Sequence, residues 1–136
     1  MIDKNRLIST LCDLIKIDSP SGEESIIGQY LIGQLENLGV NASFDDYGNV
    51  IGKSNVGVGN TLLLSAHMDT VEPGRGITPK IDGPLLISDN TTILGGDCKA
   101  GIASILEAIT SVREDSAQNI SFEVAFTRQE EIGLVG

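Results

Sequence analysis

Between Thr61 and Thr127 the hydrophobic period of the chain changes twice, and this limits the folds open to it. "TLLLSAH" (61–67) is a nearly continuous apolar run. It is too apolar for a strand with one wet face and predicts a strand buried on both faces, as in the middle of an α/β sheet. "GGDCKAGIASILEAITSVRED" (95–115) then opens on two glycines and carries Ile102, Ile105, Leu106, Ile109 and Val112 at helical spacing. "ISFEVAFT" (120–127) alternates, with Ile120, Phe122, Val124 and Phe126 on one side, which is the period of a strand with two unlike faces. Helical and strand periods interleaved in this way predict an α/β fold.

The upstream half fits the same class. Leu7, Leu11, Leu14 and Ile15 recur at helical spacing. Ser21 followed by Glu24 has the spacing of a capping box, which predicts a second helix beginning at Gly22. Its apolar stripe is Ile27, Tyr30, Leu31, Leu35 and Leu38, and Gly39 is placed to end it. "NASFDD", the turn "YGN", "VIGKS" and the glycine-rich "NVGVGN" predict short strands joined by tight turns, and "PKIDGPLLISDNTT" a hairpin turning at Gly83–Pro84. The 136 residues suffice for one domain with its own core, and no internal repeat is visible.

Charge and composition remove several function classes. A net charge of -10 with nine Lys and Arg leaves no basic face for a phosphate backbone, so no nucleic-acid partner is expected. No window approaches the roughly 18 uninterrupted apolar residues of a membrane span. Asp13 and Lys16 interrupt the first apolar run, which favours an amphipathic helix over a signal peptide. Cys12 and Cys98 form no paired spacing, so no disulfide framework is indicated and the cytoplasm is the expected location.

Three places can carry chemistry. His67, the sole histidine, ends the apolar strand. A histidine there can simply pack, but Asp69 lies two residues on, on the same side of an extended segment. A metal-bound imidazole usually donates its other N–H to such a carboxylate. "GGDCKAG" reads as a glycine turn opening a helix. Its residues fit no phosphate-cradle spacing, and Asp97 at that position suits a cation better than an anion. Glu130 and Glu131 end the alternating strand. They are either a solvated acidic pair or a pair that needs a cation or proton between them. In open α/β sheets strand ends and helix starts gather in one crevice, so positions 67, 97 and 130/131 can converge. Imidazole and carboxylates without thiolates are the donor set of catalytic rather than structural zinc.

With these motifs in order, "SAHMDTV", "TTILGGDCKAGIA" and "TRQEEIGLVG", the chain resembles the zinc aminopeptidases of the peptidase T (tripeptidase) type. These share a superfamily with acetylornithine deacetylase, succinyl-diaminopimelate desuccinylase and carboxypeptidase G. The likeness begins at "DSPSGEE" and spans nearly the whole chain. It implies a central mixed sheet flanked by helices and a site with two zinc ions, cobalt or manganese being alternatives. By this resemblance His67 ligates one zinc and Asp69 orients it. Asp97 bridges both ions next to a cis peptide, Glu130 is the general base, and Glu131 ligates the second ion. The implied reaction is amide hydrolysis in short peptides by a zinc-activated water.

The sequence departs from that family at three points. Cys98 stands where the tripeptidases often have Asp, either as a tolerated neighbour or as an adventitious ligand. Asn90 stands where Gly is common, and Asn tolerates the left-handed backbone of a turn. The family's further acidic ligand, lid and dimerisation domain, and late histidine have no counterpart within the 136 residues. Residues 1–136 are therefore expected to be the N-terminal part of a metallopeptidase catalytic domain, with the lid domain absent. A homodimer is implied for the complete enzyme, and open sheet edges would allow this part to self-associate. Two other readings stay open: an inactive fragment, or a deacylase of N-acyl amino acids.

Overall fold

The computed structural model describes residues 1–54, 60–115 and 120–136. Residues 55–59, most of the glycine-rich "NVGVGN", lie outside the described residues. The elements follow the interleaved pattern: α1 (Lys4–Ile15), α2 (Ser25–Asn37), β1 (Asn41–Phe44), β2 (Val50–Ser54), β3 (Leu62–His67), β4 (Lys80–Asp82), β5 (Leu85–Ile87), α3 (Gly96–Glu114) and β6 (Phe122–Thr127).

Helix α1 starts at Asp3, whose side chain accepts the N–H groups of Asn5 and Arg6 at 2.9 and 3.1 Å, an N-cap that satisfies two otherwise orphaned donors. Helix α2 begins at Ser25, three residues later than its spacing predicted. The Ser21–Glu24 pair forms no capping box, because both side chains are committed elsewhere. Ser21 donates its hydroxyl to Asp69 Oδ2 at 2.6 Å, and Glu24 Oε1 accepts the N–H groups of Gly22 and Gln129. The other end of α2 is as expected. Gly39 is left-handed at φ +70, its N–H reaches Glu36 O, and the N–H of Val40 reaches Leu35 O, the paired bonds of a Schellman stop. Within α2, Gly28 allows close approach to the sheet, since a Cβ there would lie 2.5 Å from the Phe44 ring.

The main sheet has the order β1-β2-β6-β3, antiparallel except for the parallel β3–β6 pair. It is therefore mixed, as the resemblance implied. Among the described residues the strand "TLLLSAH" is not in its middle: β3 lies at an edge, and alternating β6 lies inside. Leu62 and Leu63 are exposed, Leu64 is half-buried against the core, and full burial comes at Ala66 and His67. An apolar run records how much surface a strand must bury, not which neighbour buries it, so composition could not separate the two positions. β4 and β5 form the expected hairpin about Gly83–Pro84.

One face of the sheet carries Val50, Ala66, Phe122, Val124 and Phe126. These residues join Ile27, Leu31 and Leu35 of α2 and Ile102, Leu106 and Ile109 of α3 in one buried cluster. Fully burying each such side chain contributes about 1.5–3 kcal/mol. Ile120 lies outside the strand and is exposed. The opposite face carries Leu63, at 63% exposure, and the Lys53–Glu123 ion pair. Helix α1 is tied to α3 through Arg6, which reaches Glu107 at 2.7 Å and Glu114 at 2.6 Å. The Arg6 hydrogen bond holds the Glu107 carboxyl down to about 2, against the opposing pull of its burial. Among the described residues no helix is long and apolar enough to cross a membrane.

Candidate metal centre

The ends of β3 and β6 and the start of α3 meet at His67. Parallel pairing sets His67 beside Thr127, so the chain leaving each strand emerges at the same edge of the sheet. The imidazole is buried and held from both sides. Its Nδ1 lies 2.9 Å from the main-chain oxygen of Asp69 and 3.4 Å from Asp69 Oδ1. Its Nε2 lies 3.1 Å from Asp97 Oδ1 and 4.0 Å from Glu130 Oε2. Burial alone would lower its pKa. The Asp97 hydrogen bond, the Asp69 main-chain oxygen and the charges of Asp69 and Glu130 outweigh that and raise it above 6.5.

Asp97 reaches this point because α3 does not start as a regular helix. Gly95 is left-handed at φ +70, Asp97 and Cys98 are non-helical, and the peptide between them is cis. The Asp97 side chain, 86% exposed, stands open to solvent beside the imidazole. Asn90, in the preceding loop, adopts the left-handed conformation (φ +70) that its place in the sequence suggested.

Asp69 does more than orient His67. Its carboxylate is fully buried. Oδ1 accepts the N–H of Glu130 at 3.0 Å, and Oδ2 accepts the N–H of Glu131 at 3.1 Å together with the Ser21 hydroxyl. The closest contact to the ring comes from the main chain of Asp69, while its carboxylate ties the Glu-Glu segment to the end of β3. Ser21 was read from the sequence only as a cap, and nothing local signals its contact with a residue 48 positions away.

The predicted residues fall into two groups that share His67. One donor atom each from His67, Glu130 and Glu131 lies within 4.8 Å of the others, and so do those from His67, Asp97 and Cys98. Among the described residues no lysine or arginine pairs with the carboxylates of Asp97, Glu130 or Glu131. Nearby Lys99 points away: its ammonium donates to Ile17 O at 2.6 Å, and burial pushes its pKa down to about 8 despite the charge of Asp18. Carboxylates gathered around an imidazole with no protein cation fit a divalent metal ion, and the nitrogen and oxygen donors suit one of borderline hardness. An open cleft of about 340 Å³ lies beside Ser21 and Thr70, which flank Asp69, and is bordered also by Pro20, Val71, Ile132 and the Glu23–Arg75 ion pair.

Comparison with known proteins places the fold and the family. A tripeptidase structure from Staphylococcus aureus superposes with a TM-score of 0.93 and 33% identity over 98% of this chain and 38% of that one. The aminopeptidase PepT of Bacillus cereus gives 0.94 and 37% over 99% of this chain and 39% of that one. The Bacillus subtilis protein YqjE is 34% identical over the whole of this chain and 39% of its own length. The chain thus spans about two fifths of the relatives it matches. An M20-family metallo-carboxypeptidase from Sulfolobus solfataricus, at 24% identity and a TM-score of 0.76, shares the fold. The profile of peptidase family M28 matches residues 49–136, which include His67, Asp97, Glu130 and Glu131, and the chain belongs to that family.

Proposed function

We propose that these residues are the N-terminal part of the catalytic domain of a cytoplasmic zinc-dependent aminopeptidase that cleaves short peptides. The observation that carries the reading is the convergence on His67 of Asp97 and Glu130, at 3.1 and 4.0 Å from Nε2. His67, Asp97 and Glu131 would hold the metal, two zinc ions in the complete protein. Zinc bound there would polarise the scissile carbonyl and make a water acidic enough to attack it.

The chain's own groups do the rest. Glu130 stands with Oε2 at the ligand cluster and is partly exposed, so it can take the proton of the attacking water and return it to the leaving amine. Asp69 fixes the ring of His67 through its main chain, and Glu130 and Glu131 through its carboxylate. Thr70 and Val71 border the open cleft, where an extended peptide has room to lie. A homodimer would supply the remaining contacts in the complete protein.

The test uses the full-length protein. Zinc per chain is measured by elemental analysis, and hydrolysis is then followed on a tripeptide, its N-acetylated form and an N-acetyl amino acid. The proposal expects bound zinc, cleavage of the free tripeptide only, and loss of turnover with bound zinc retained in Glu130→Gln. Cleavage of the acylated amino acid instead would make the protein a deacylase, and absence of zinc would remove the metal mechanism.

A further inference from the structure

Four successive main-chain amides at the end of β6 are received by side chains rather than by the backbone. The N–H of Arg128 donates to Asn49 Oδ1 at 3.0 Å, and that of Gln129 to Glu24 Oε1 at 3.0 Å. Those of Glu130 and Glu131 go to the two oxygens of Asp69 at 3.0 and 3.1 Å. The acceptors come from three separate places: the turn before β2, the residue before α2, and the end of β3. Each acceptor is buried, and each is braced in turn. Asn49 donates its amide to Asp45 at 2.9 Å. Glu24 also holds the N–H of Gly22 at 2.8 Å and faces the Arg128 guanidinium at 3.3 Å. Asp69 takes the Ser21 hydroxyl.

Solvent would satisfy these donors at a strand end without any of this. A carboxylate such as Glu24, 2% exposed, is costly to bury. Gln129 is held left-handed at φ +56, a conformation that persists in a non-glycine residue when its surroundings over-determine it. Turn formation alone accounts for none of these features. Together they determine the direction in which the next two side chains leave the backbone.

We propose that Glu24 and Asn49 are positioning residues of the metal centre. With Asp69 they form a cradle that orients Glu130 and Glu131 toward His67. This rests on the reading of His67, Asp97 and Glu131 as ligands. The cradle explains why Ser21 and Glu24, which have the spacing of a helix cap, do not cap the helix. Removing outer partners of this kind typically weakens metal binding about 10–100-fold.

The test is a Co2+ titration of the full-length protein, reading both affinity and the visible d–d spectrum of the bound ion. Glu24→Ala and Asn49→Ala are expected to weaken binding about 10–100-fold and to change the spectrum. Glu24→Gln, which keeps the Oε1 acceptor, is expected to recover most of the affinity. Where an alanine variant does not fold, Glu24→Asp replaces it, since it keeps the charge but withdraws the acceptor from Gln129. Glu24→Asp is expected to fall below Glu24→Gln. Wild-type affinity and spectrum in the Ala or Asp variants, with binding lost in His67→Ala, would overturn the cradle and leave the metal reading intact. No Co2+ binding by the wild type would overturn both.

Discussion

The parallel pair β3–β6 starts and ends in different kinds of surface. At its start Leu62 is registered with Phe122, and the two border an apolar groove of about 120 Å³ with Leu64, Ile109, Val112 and Ile120. Leu62 there is 55% exposed. At its end, five residues along each strand, His67 is registered with Thr127. There polar groups are held by directed hydrogen bonds, from Ser19 Oγ on Met68 O to the four amides of 128–131. Apolar burial is non-directional, so the groove end is specified as volume. Hydrogen bonds have direction, so the other end is specified as positions. A reaction needs positions, and the residues that can perform one sit at the carboxyl ends of the two strands.

The contrast can be broken in several ways. His67→Ala is expected to bring Co2+ binding down by roughly a hundredfold or more, beyond the loss of an outer partner, while its metal-free melting curve stays cooperative. Retained affinity, read by calorimetric titration, would mean that the polar end is not a metal centre. Ile109→Ala, at the apolar end, is expected to cost about 2–5 kcal/mol in denaturant unfolding and to leave Co2+ affinity unchanged. Coupling between the two readouts would show that the ends are not independent.

The third expectation concerns pH. The pKa of His67 is raised in the fold, so the metal-free native state holds that proton more tightly than the unfolded chain. Its contribution to stability is present below pH 6.5 and is lost as the pH rises through the folded value. A metal needs the same nitrogen without its proton. Co2+ affinity is therefore expected to climb about tenfold per pH unit up to that value and level off above it, later than for an ordinary histidine. A plateau already reached by pH 6.5 would contradict the hydrogen bonding assigned to the ring. The smallest effect belongs to the exposed apolar surface. Leu63→Ser should change stability by no more than about 0.5 kcal/mol, and sedimentation should show less self-association than in the wild type. A larger loss of stability would mean that the face carrying Leu63 is covered in solution.

Helical and strand periods were legible because they are local. Leu7, Leu11 and Leu14 mark α1 without reference to anything distant, Gly39 ends α2 by its own backbone freedom, and Phe122, Val124 and Phe126 alternate whatever lies beside them. The site residues were legible for a related reason. A histidine, an aspartate opening a helix and a glutamate pair are rare enough in their contexts, and like enough to the peptidase T motifs, to be singled out one by one.

What the sequence by itself determined was therefore the element types and the α/β class, and it singled out His67, Asp69, Asp97, Glu130 and Glu131 as candidates. Tertiary structure alone decided that, among the described residues, β3 lies at the edge and β6 inside, because hydrophobicity measures the wish to be buried and not the neighbour that satisfies it. It also decided what Ser21, Glu24 and Asn49 do. Ser21 and Asn49 could serve a helix cap or a turn equally well, and Glu24 has the spacing of a capping-box partner. The choice went to amides 79 to 105 residues away in the chain for Asn49 and Glu24, because folding, and not the local sequence, brought those N–H groups within reach.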